Sequence, residues 1–212
     1  MNVYDFINLY KSESIEMFNS IPNESIAKFV EMIFYLYKNE GTIYACGNGG
    51  NVASVQNLIV DLNMHPFVSD DKNKSAIRRN NFKAVSLCSD QAIITGISND
   101  LGYNYIFSEQ LKYQGKIGDI LFGMTGSGNS VNVIEAIKIG KDKGMKIVVM
   151  TRNPTGKCDQ YADLVIRLMG NSKFPGQIGG NNNNFHYEDC LSKITHILVG
   201  LLKEKVKNEN QS

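Results

Sequence analysis

The chain has 212 residues, of which 42% are hydrophobic and 20% charged, and its formal net charge is +1. This length suits one α/β domain with a full core, and the near-neutral charge gives no reason to expect nucleic-acid or membrane partners. The amino terminus lacks the basic and apolar regions of a signal peptide, and no apolar run approaches the roughly 20 residues of a membrane-spanning helix. We therefore expect a cytoplasmic protein, in which any selectivity for an anion comes from a local site.

Apolar periodicity and turn signals divide the chain into helices and strands. In chain order the predicted elements are helices at residues 4–18 and 22–38, a strand at 42–46, a helix at 50–63, a strand at 83–87, helices at 91–97 and 105–113, a strand at 119–124, a helix at 130–143, strands at 146–150 and 164–168, and a final helix at 185–206. Strands that alternate with helices predict βαβ units, and hence an α/β fold with a five-stranded parallel sheet covered on both faces.

The segments between these elements are polar. The basic stretch 64–81 is predicted to be an exposed loop with a short helical piece at 75–79. The loop 170–184 contains four consecutive asparagines and is predicted to be a mobile surface segment that ends in a helix cap. We expect the tail 207–212 to be frayed. The four cysteines form no CxxC pair, so a zinc finger is not expected, and Cys46 and Cys88 are expected to be buried and reduced.

Two glycine-rich turns, Gly47–Asn51 and Thr125–Ser130, each follow a strand and lead into a helix. Glycine lets the backbone approach an anion closely, and hydroxyls with free N–H groups at a helix start can donate to it. Both turns should lie at the carboxyl ends of the strands, where ligands of open α/β sheets bind. The sequence therefore predicts a small phosphorylated ligand at this edge of the sheet.

Neither turn is a standard nucleotide motif. The first turn lacks the third glycine of GxGxxG and no acidic residue ends the second strand, which argues against a dinucleotide site. The chain contains no GxxxxGK[ST], which argues against a P-loop. The second turn offers three hydroxyls and no lysine, so it suits the terminal phosphate of a sugar better than a triphosphate. The alternative is an ordinary strand-to-helix turn with a serine cap.

Four blocks of sequence resemble sugar isomerase (SIS) domains of the phosphoheptose isomerase type. They are Cys46-Gly47-Asn48-Gly49-Gly50, Ser89-Asp90, Ser98-Asn99-Asp100-Leu101-Gly102-Tyr103 and Gly126-Ser127-Gly128-Asn129-Ser130-Val131-Asn132-Val133-Ile134. Their order and spacing match the family over about residues 4 to 206. The resemblance implies a single SIS domain over residues 1–212, with a three-layer αβα, flavodoxin-like fold, two N-terminal helices and a long C-terminal helix.

The resemblance also implies an activity and an assembly. The family reaction is an aldose–ketose isomerisation that converts sedoheptulose 7-phosphate to D-glycero-D-manno-heptose 7-phosphate for lipopolysaccharide or capsule, in a homotetramer with sites between subunits. The residues that would hold the phosphate are Thr125, Ser127 and Ser130. The remaining implied substrate contacts are Asn48, Gly49, Gly50, Asn51, Asp90 and Gly126. Asn51 stands where the family usually has a serine, and so does Thr125.

Moving a carbonyl between C2 and C1 needs a base that carries one proton through an enediol and an acid that serves the two oxygens. By resemblance, Asp61 occupies the position of the family's catalytic Glu, His196 that of its catalytic His, and Glu188 that of a Gln. Asp61 or Glu188 would then be the base and His196 the acid. Asn57 replaces a histidine that helps to bind zinc in some members, so a zinc cofactor would depend on Asp61, Glu188 and His196.

Other interpretations of these residues remain open. Judged without the resemblance, Asp61 could be a solvated helix residue and His196 a structural histidine, while His65 is expected to face solvent and His186 to cap the last helix or border the site. A second hypothesis for the whole chain is a non-catalytic SIS domain, either a sugar-phosphate sensor or an adaptor that binds a replication initiator. Such relatives lose the base and the acid, so His196 and the two carboxylates favour the enzyme.

Overall fold

A five-stranded parallel sheet forms the centre of the computed structural model, which describes residues 2–69, 71 and 81–209. The strands are β1 (Thr42–Gly47), β2 (Lys83–Ser86), β3 (Ile120–Met124), β4 (Lys146–Thr151) and β5 (Leu164–Arg167). Their order is β2-β1-β3-β4-β5, and every neighbouring pair is parallel. This flavodoxin-like order confirms the predicted fold, and it reverses direction between β1 and β3, where such sheets bind ligands.

The central strands are apolar on both faces. All residues of β3 are buried, and so are the last five of β4, because helices cover the sheet on both sides. The register pairs Cys46 with Gly123 and Gly47 with Met124. The two glycine-rich turns therefore leave the sheet side by side, at the switch point.

Seven α-helices flank the sheet in the described part of the chain. They are α1 (Val3–Asn19), α2 (Asn23–Lys38), α3 (Gly50–Met64), α4 (Gln91–Asp100), α5 (Ser108–Gln114), α6 (Val131–Asp142) and α7 (Asn184–Glu209). A reciprocal capping box starts α1, since Asn2 accepts from the backbone N–H of Asp5 at 3.1 Å and Asp5 accepts from that of Asn2 at 2.8 Å. The apolar face of α2 packs on the sheet, where Phe29 meets Phe122 edge-on at 4.8 Å.

The long helix α7 packs against α1, α2 and α3 and carries two of the predicted site residues. It continues to Glu209, whose carboxylate pairs with Lys38 at 3.0 Å. The expectation of a frayed tail from residue 207 is therefore wrong for residues 207–209, and residues 210–212 lie outside the described residues. No described helix is both long enough and apolar enough to cross a membrane.

The structure describes the predicted loop 64–81 only in part and the predicted loop 170–184 in full. In the basic loop, residues 65–67 form a 3₁₀ turn with Phe67 buried, whereas the predicted helical piece at 75–79 lies outside the described residues. The asparagine loop is internally bonded. Asn183 is buried and donates to the carbonyl oxygen of Gly170 at 2.6 Å, and Asn182 accepts from the N–H of Ser172 at 2.8 Å. Asn182 and Asn183 thus hold the loop together, while most of the loop is exposed, as the sequence predicts.

A buried polar cluster joins α1, the asparagine loop and α7. The carboxylate of Glu13 accepts from the Ser172 hydroxyl at 2.6 Å and from the Lys173 N–H at 2.7 Å, and it lies 3.1 Å from Nε2 of His186. Burial alone would raise the pKa of Glu13, but these hydrogen bonds outweigh it and lower that pKa below its ordinary value. His186 is fully buried, so the expectation that it caps a helix or borders the site is wrong.

All four cysteines lie in the described part of the chain, where they are free and buried. Burial raises the pKa of Cys46 and Cys88, so both stay protonated thiols, as the sequence predicts. They act as small apolar side chains beside the carboxyl end of β1.

Candidate functional site

The turn Thr125–Ser130 links β3 to α6 and groups its hydroxyls. The Thr125 and Ser130 side-chain oxygens lie 3.0 Å apart, and Ser127 is exposed beside them. Gly128 has φ +66°, and a Cβ there would fall 2.7 Å from the Cα of Gly156, so this position requires glycine. The three predicted phosphate ligands therefore stand together at the amino end of α6, where backbone N–H groups and the helix dipole favour an anion.

The other turn is fixed to α6 by a reciprocal amide pair. Asn48 and Asn132 each donate to the other's side-chain oxygen at 2.8 Å. Tyr103, just after α4, also donates to the Asn48 oxygen at 2.9 Å. These contacts orient the Asn48 amide beside the phosphate turn. Neither Asn132 nor Tyr103 was predicted as a site residue, although both lie in the blocks that carry the resemblance.

Asn51 and Glu188 meet the amino end of α3. Asn51 donates to the carbonyl oxygen of Asn48 at 3.0 Å, and its own side-chain oxygen is buried with no partner among the described residues. The Glu188 carboxylate lies over Gly50, so close that a Cβ at Gly50 would fall 2.6 Å from both of its oxygens. Asn184 donates to Glu188 at 3.0 Å. Glu188 thus faces the region between the two turns, where the helix dipole of α3 favours its negative charge.

Arg152 connects the phosphate turn to the asparagine loop. Its backbone N–H donates to the carbonyl oxygen of Gly126 at 3.1 Å, and its guanidinium donates to the carbonyl oxygens of Asn182 and Gly180. Burial lowers the pKa of Arg152, although an arginine remains protonated. A cavity of about 430 Å³ lies between this side chain, Ser127 and the loop. The sequence analysis did not identify Arg152.

Asp61 and His196 come together, as the resemblance implies. Asp61 lies on α3 with its side chain only 11% exposed, and one of its oxygens is 3.6 Å from Nε2 of His196 on α7, whose side chain is 66% exposed. The second oxygen lies 3.5 Å from Nε2 of His65, one turn further along the chain. His65 is 64% exposed, so it does face solvent as expected, but it also contacts the predicted base.

Asp90 and Gly49 have clear local roles. Asp90 is the N-cap of α4, where its side chain accepts from the N–H of Ile93 at 3.0 Å. Gly49 is the N-cap of α3 and has φ +57°, a conformation that glycine adopts without strain. Both residues lie at the carboxyl edge of the sheet, next to β2 and β1.

Comparison with known proteins identifies the family. The family model described as "SIS domain" matches residues 10–152. The chain belongs to the SIS domain family. Three relatives named phosphoheptose isomerase are similar to it. The Proteus mirabilis protein is 31% identical over 87% of this chain and 85% of its own length, and the Glaesserella parasuis protein 36% over 79% and 77%. A Neisseria meningitidis protein is 37% identical over 63% of this chain and 64% of its own length, slightly under two thirds.

Solved structures share the fold of this SIS domain. The phosphoheptose isomerase of Neisseria gonorrhoeae superposes with a TM-score of 0.79 at 24% identity, covering 96% of this chain and 100% of that one. The phosphoheptose isomerase of Francisella tularensis superposes with a TM-score of 0.75 at 26% identity and the same coverage.

The three residues proposed from the sequence as metal ligands do not meet within one SIS domain. Among residues 2–69, 71 and 81–209, no three His, Cys, Asp or Glu side chains are arranged to hold a metal ion. Glu188 lies against Gly50, whereas Asp61 is eleven residues further along α3, which at about 1.5 Å per residue separates their positions by roughly 16 Å. The expectation of a metal site formed by Asp61, Glu188 and His196 is therefore wrong within a single protomer. Asn57, one turn before Asp61, cannot supply the missing imidazole.

Proposed function

We propose that the protein is an aldose–ketose isomerase that converts sedoheptulose 7-phosphate to D-glycero-D-manno-heptose 7-phosphate, for heptose supply to lipopolysaccharide or capsule. One observation carries the proposal. A hydroxyl-lined turn suited to a phosphoryl group lies at the amino end of α6, and a carboxylate–imidazole pair suited to proton transfer joins α3 and α7. The relatives named phosphoheptose isomerase support the choice of substrate.

The phosphoryl end of the sugar is assigned to the turn Thr125–Ser130. Its hydroxyls donate to phosphate oxygens, and the amino end of α6 adds backbone donors and the positive end of its dipole. The guanidinium of Arg152 places its positive charge near this turn, since a Cβ at Gly126 would fall 3.1 Å from its Nε. Together these groups can bind a dianion even though the protein as a whole is nearly neutral.

The middle of the sugar lies between the two turns. Asn51 has a buried oxygen without a partner among the described residues, and a sugar hydroxyl is the kind of donor that this acceptor needs. The Glu188 carboxylate lies on the same edge and can accept hydrogen bonds from further sugar hydroxyls. A ligand rich in hydroxyl groups fits this lining better than an apolar one.

The carbonyl end is assigned to Asp61 and His196. The base removes a proton from C1 of the ketose while an acid protonates the oxygen on C2, which gives the enediol. The proton on the C1 oxygen is then removed, and the base returns its proton to C2. We assign the carbon-bound proton to Asp61 and an oxygen-bound proton to His196. A plain carboxylate and imidazole suffice for these steps, so a bound zinc is not part of the proposal.

We propose that the enzyme is a homotetramer whose sites are completed between subunits. Asp61 lies about 16 Å along α3 from the first turn, and the surface around it carries exposed apolar side chains. Val60 and Met64, which flank Asp61 in the sequence, and Leu201, five residues after His196, are each more than 40% exposed. Exposed apolar groups around a polar site are typical of a protein interface.

Turnover of the purified protein tests the proposal. Sedoheptulose 7-phosphate should be converted to the aldose, as followed by proton NMR, without added metal. Measurable binding of the sugar phosphate without conversion, with or without added zinc, would favour the sensor. Capture of a replication initiator in a pull-down, again without conversion, would favour the adaptor.

A further inference from the structure

His65 was expected only to face solvent, but it also contacts the predicted base. It follows the last turn of α3, four residues after Asp61, so the two side chains share one face of the helix. Its Nε2 lies 3.5 Å from one oxygen of Asp61, while Nε2 of His196 lies 3.6 Å from the other. The carboxylate is thus flanked by two imidazoles, one on each oxygen.

The exposures of the three groups differ in an informative way. The Asp61 side chain is 11% exposed, whereas those of His65 and His196 are 64% and 66% exposed. The carboxylate is held in place among its neighbours, and both rings can turn toward a ligand on the surface. One hydrogen-bonding partner would be enough to position the Asp61 carboxylate, whereas here two exposed imidazole rings contact its two oxygens.

The proposed isomerisation has a use for two rings. In each turnover one proton must be given to the oxygen on C2 and another removed from the oxygen on C1, while the base moves a third proton between the carbons. C1 is oxidised as C2 is reduced, so no external electron donor or acceptor is needed. One imidazole per oxygen matches these two transfers.

We propose that His65 is a second catalytic imidazole, which serves one of the two substrate oxygens while His196 serves the other. This inference rests on the isomerase function proposed above. After one turnover the donating ring has lost a proton and the accepting ring has gained one. Because both rings contact the same carboxylate, that proton can pass back between them through Asp61 and restore the starting state.

The test compares three variants in a wild-type background that turns over. His65→Gln keeps an N–H donor near the Nε2 position but cannot transfer a proton. We expect its kcat to fall by about 100-fold or more, with KM changed by less than about threefold. The kcat of His65→Ala should fall similarly, and added imidazole should restore it at least about tenfold, because the deleted side chain leaves space for a free ring. Gln56→Ala, about 140° around α3 from Asp61, is the control and should keep wild-type kcat.

These measurements distinguish failure of the isomerase function from failure of the catalytic role of His65. A wild-type protein that does not isomerise the sugar phosphate refutes the isomerase function itself. If the wild type is active, a wild-type kcat in His65→Gln would overturn the catalytic role of His65. It would show that an N–H donor that only positions Asp61 is enough for turnover, whether or not His65→Ala is impaired. Failure of imidazole to restore His65→Ala would also overturn it.

Discussion

Replacing Gly50 with alanine tests the position of Glu188 in the site. The new Cβ would fall 2.6 Å from both oxygens of the Glu188 carboxylate, so the carboxylate must retreat by about 0.8 Å to reach an ordinary contact of 3.4 Å. That movement disrupts the hydrogen bond from Asn184, which costs about 1 kcal/mol. Alanine is favoured over glycine in a helix by up to about 1 kcal/mol, so the net change in the free energy of unfolding should be near zero.

A double-mutant cycle measures the coupling free energy between positions 50 and 188. In a Glu188→Ala background there is no carboxylate to displace, so Gly50→Ala should stabilise the protein by about 0.5–1 kcal/mol and the coupling should be about 1 kcal/mol. Urea unfolding of the four proteins measures this coupling. Gly96→Ala, on α4 with nothing within 4 Å of its added Cβ, is the matched control and should not couple to position 188.

Activity provides the second readout of the same change. A shift of the Glu188 carboxylate by nearly 1 Å should lower kcat/KM by roughly 10- to 100-fold, because placement errors of this size are costly in catalysis. Coupling below about 0.3 kcal/mol together with unchanged kcat/KM would refute the placement of Glu188 over the amino end of α3.

Three further results are expected. His196→Ala should keep the oligomeric state seen by gel filtration but lose at least about 100-fold in kcat, and unchanged kcat would remove its assigned role. Ser127→Ala should raise KM for the sugar phosphate about tenfold with little loss of stability, since Ser127 is exposed; equal affinity for substrate would exclude it from the phosphate site. The lowered pKa of Glu13 stabilises the fold above the ordinary value of 4.5, and this contribution is lost as pH falls through the folded-state pKa. Glu13→Gln should therefore lower the urea midpoint at pH 7 and weaken its decline toward pH 3, whereas an identical pH profile would contradict the depressed pKa.

The sequence predicted the elements of this fold well because their periodicity is local. Every strand was placed within one or two residues, and the two turns were recognised because glycine and hydroxyl residues occur together after each strand. Asp61 and His196 were paired only through the resemblance, since their contact joins helices that are far apart in the chain.

The missed residues depend on tertiary contacts that no local pattern encodes. Arg152 acts through a loop that folds back on it, and Tyr103 reaches Asn48 across 55 positions. His186 was expected to cap the last helix or to border the site, but α1 covers it and supplies Glu13. For the asparagine loop, composition predicted a mobile surface segment but not the hydrogen bonds that its amides make with one another and with the backbone.

The most direct test of the central claim is a crystal structure of the protein with sedoheptulose 7-phosphate bound. We expect the phosphoryl oxygens to lie within hydrogen-bond distance of Ser127 and Ser130. The C1–C2 end should lie against His196 and Asp61 of the same or a neighbouring protomer. A phosphate bound away from the turn Thr125–Ser130, or a carbonyl end that is remote from His196 in every protomer, would contradict it.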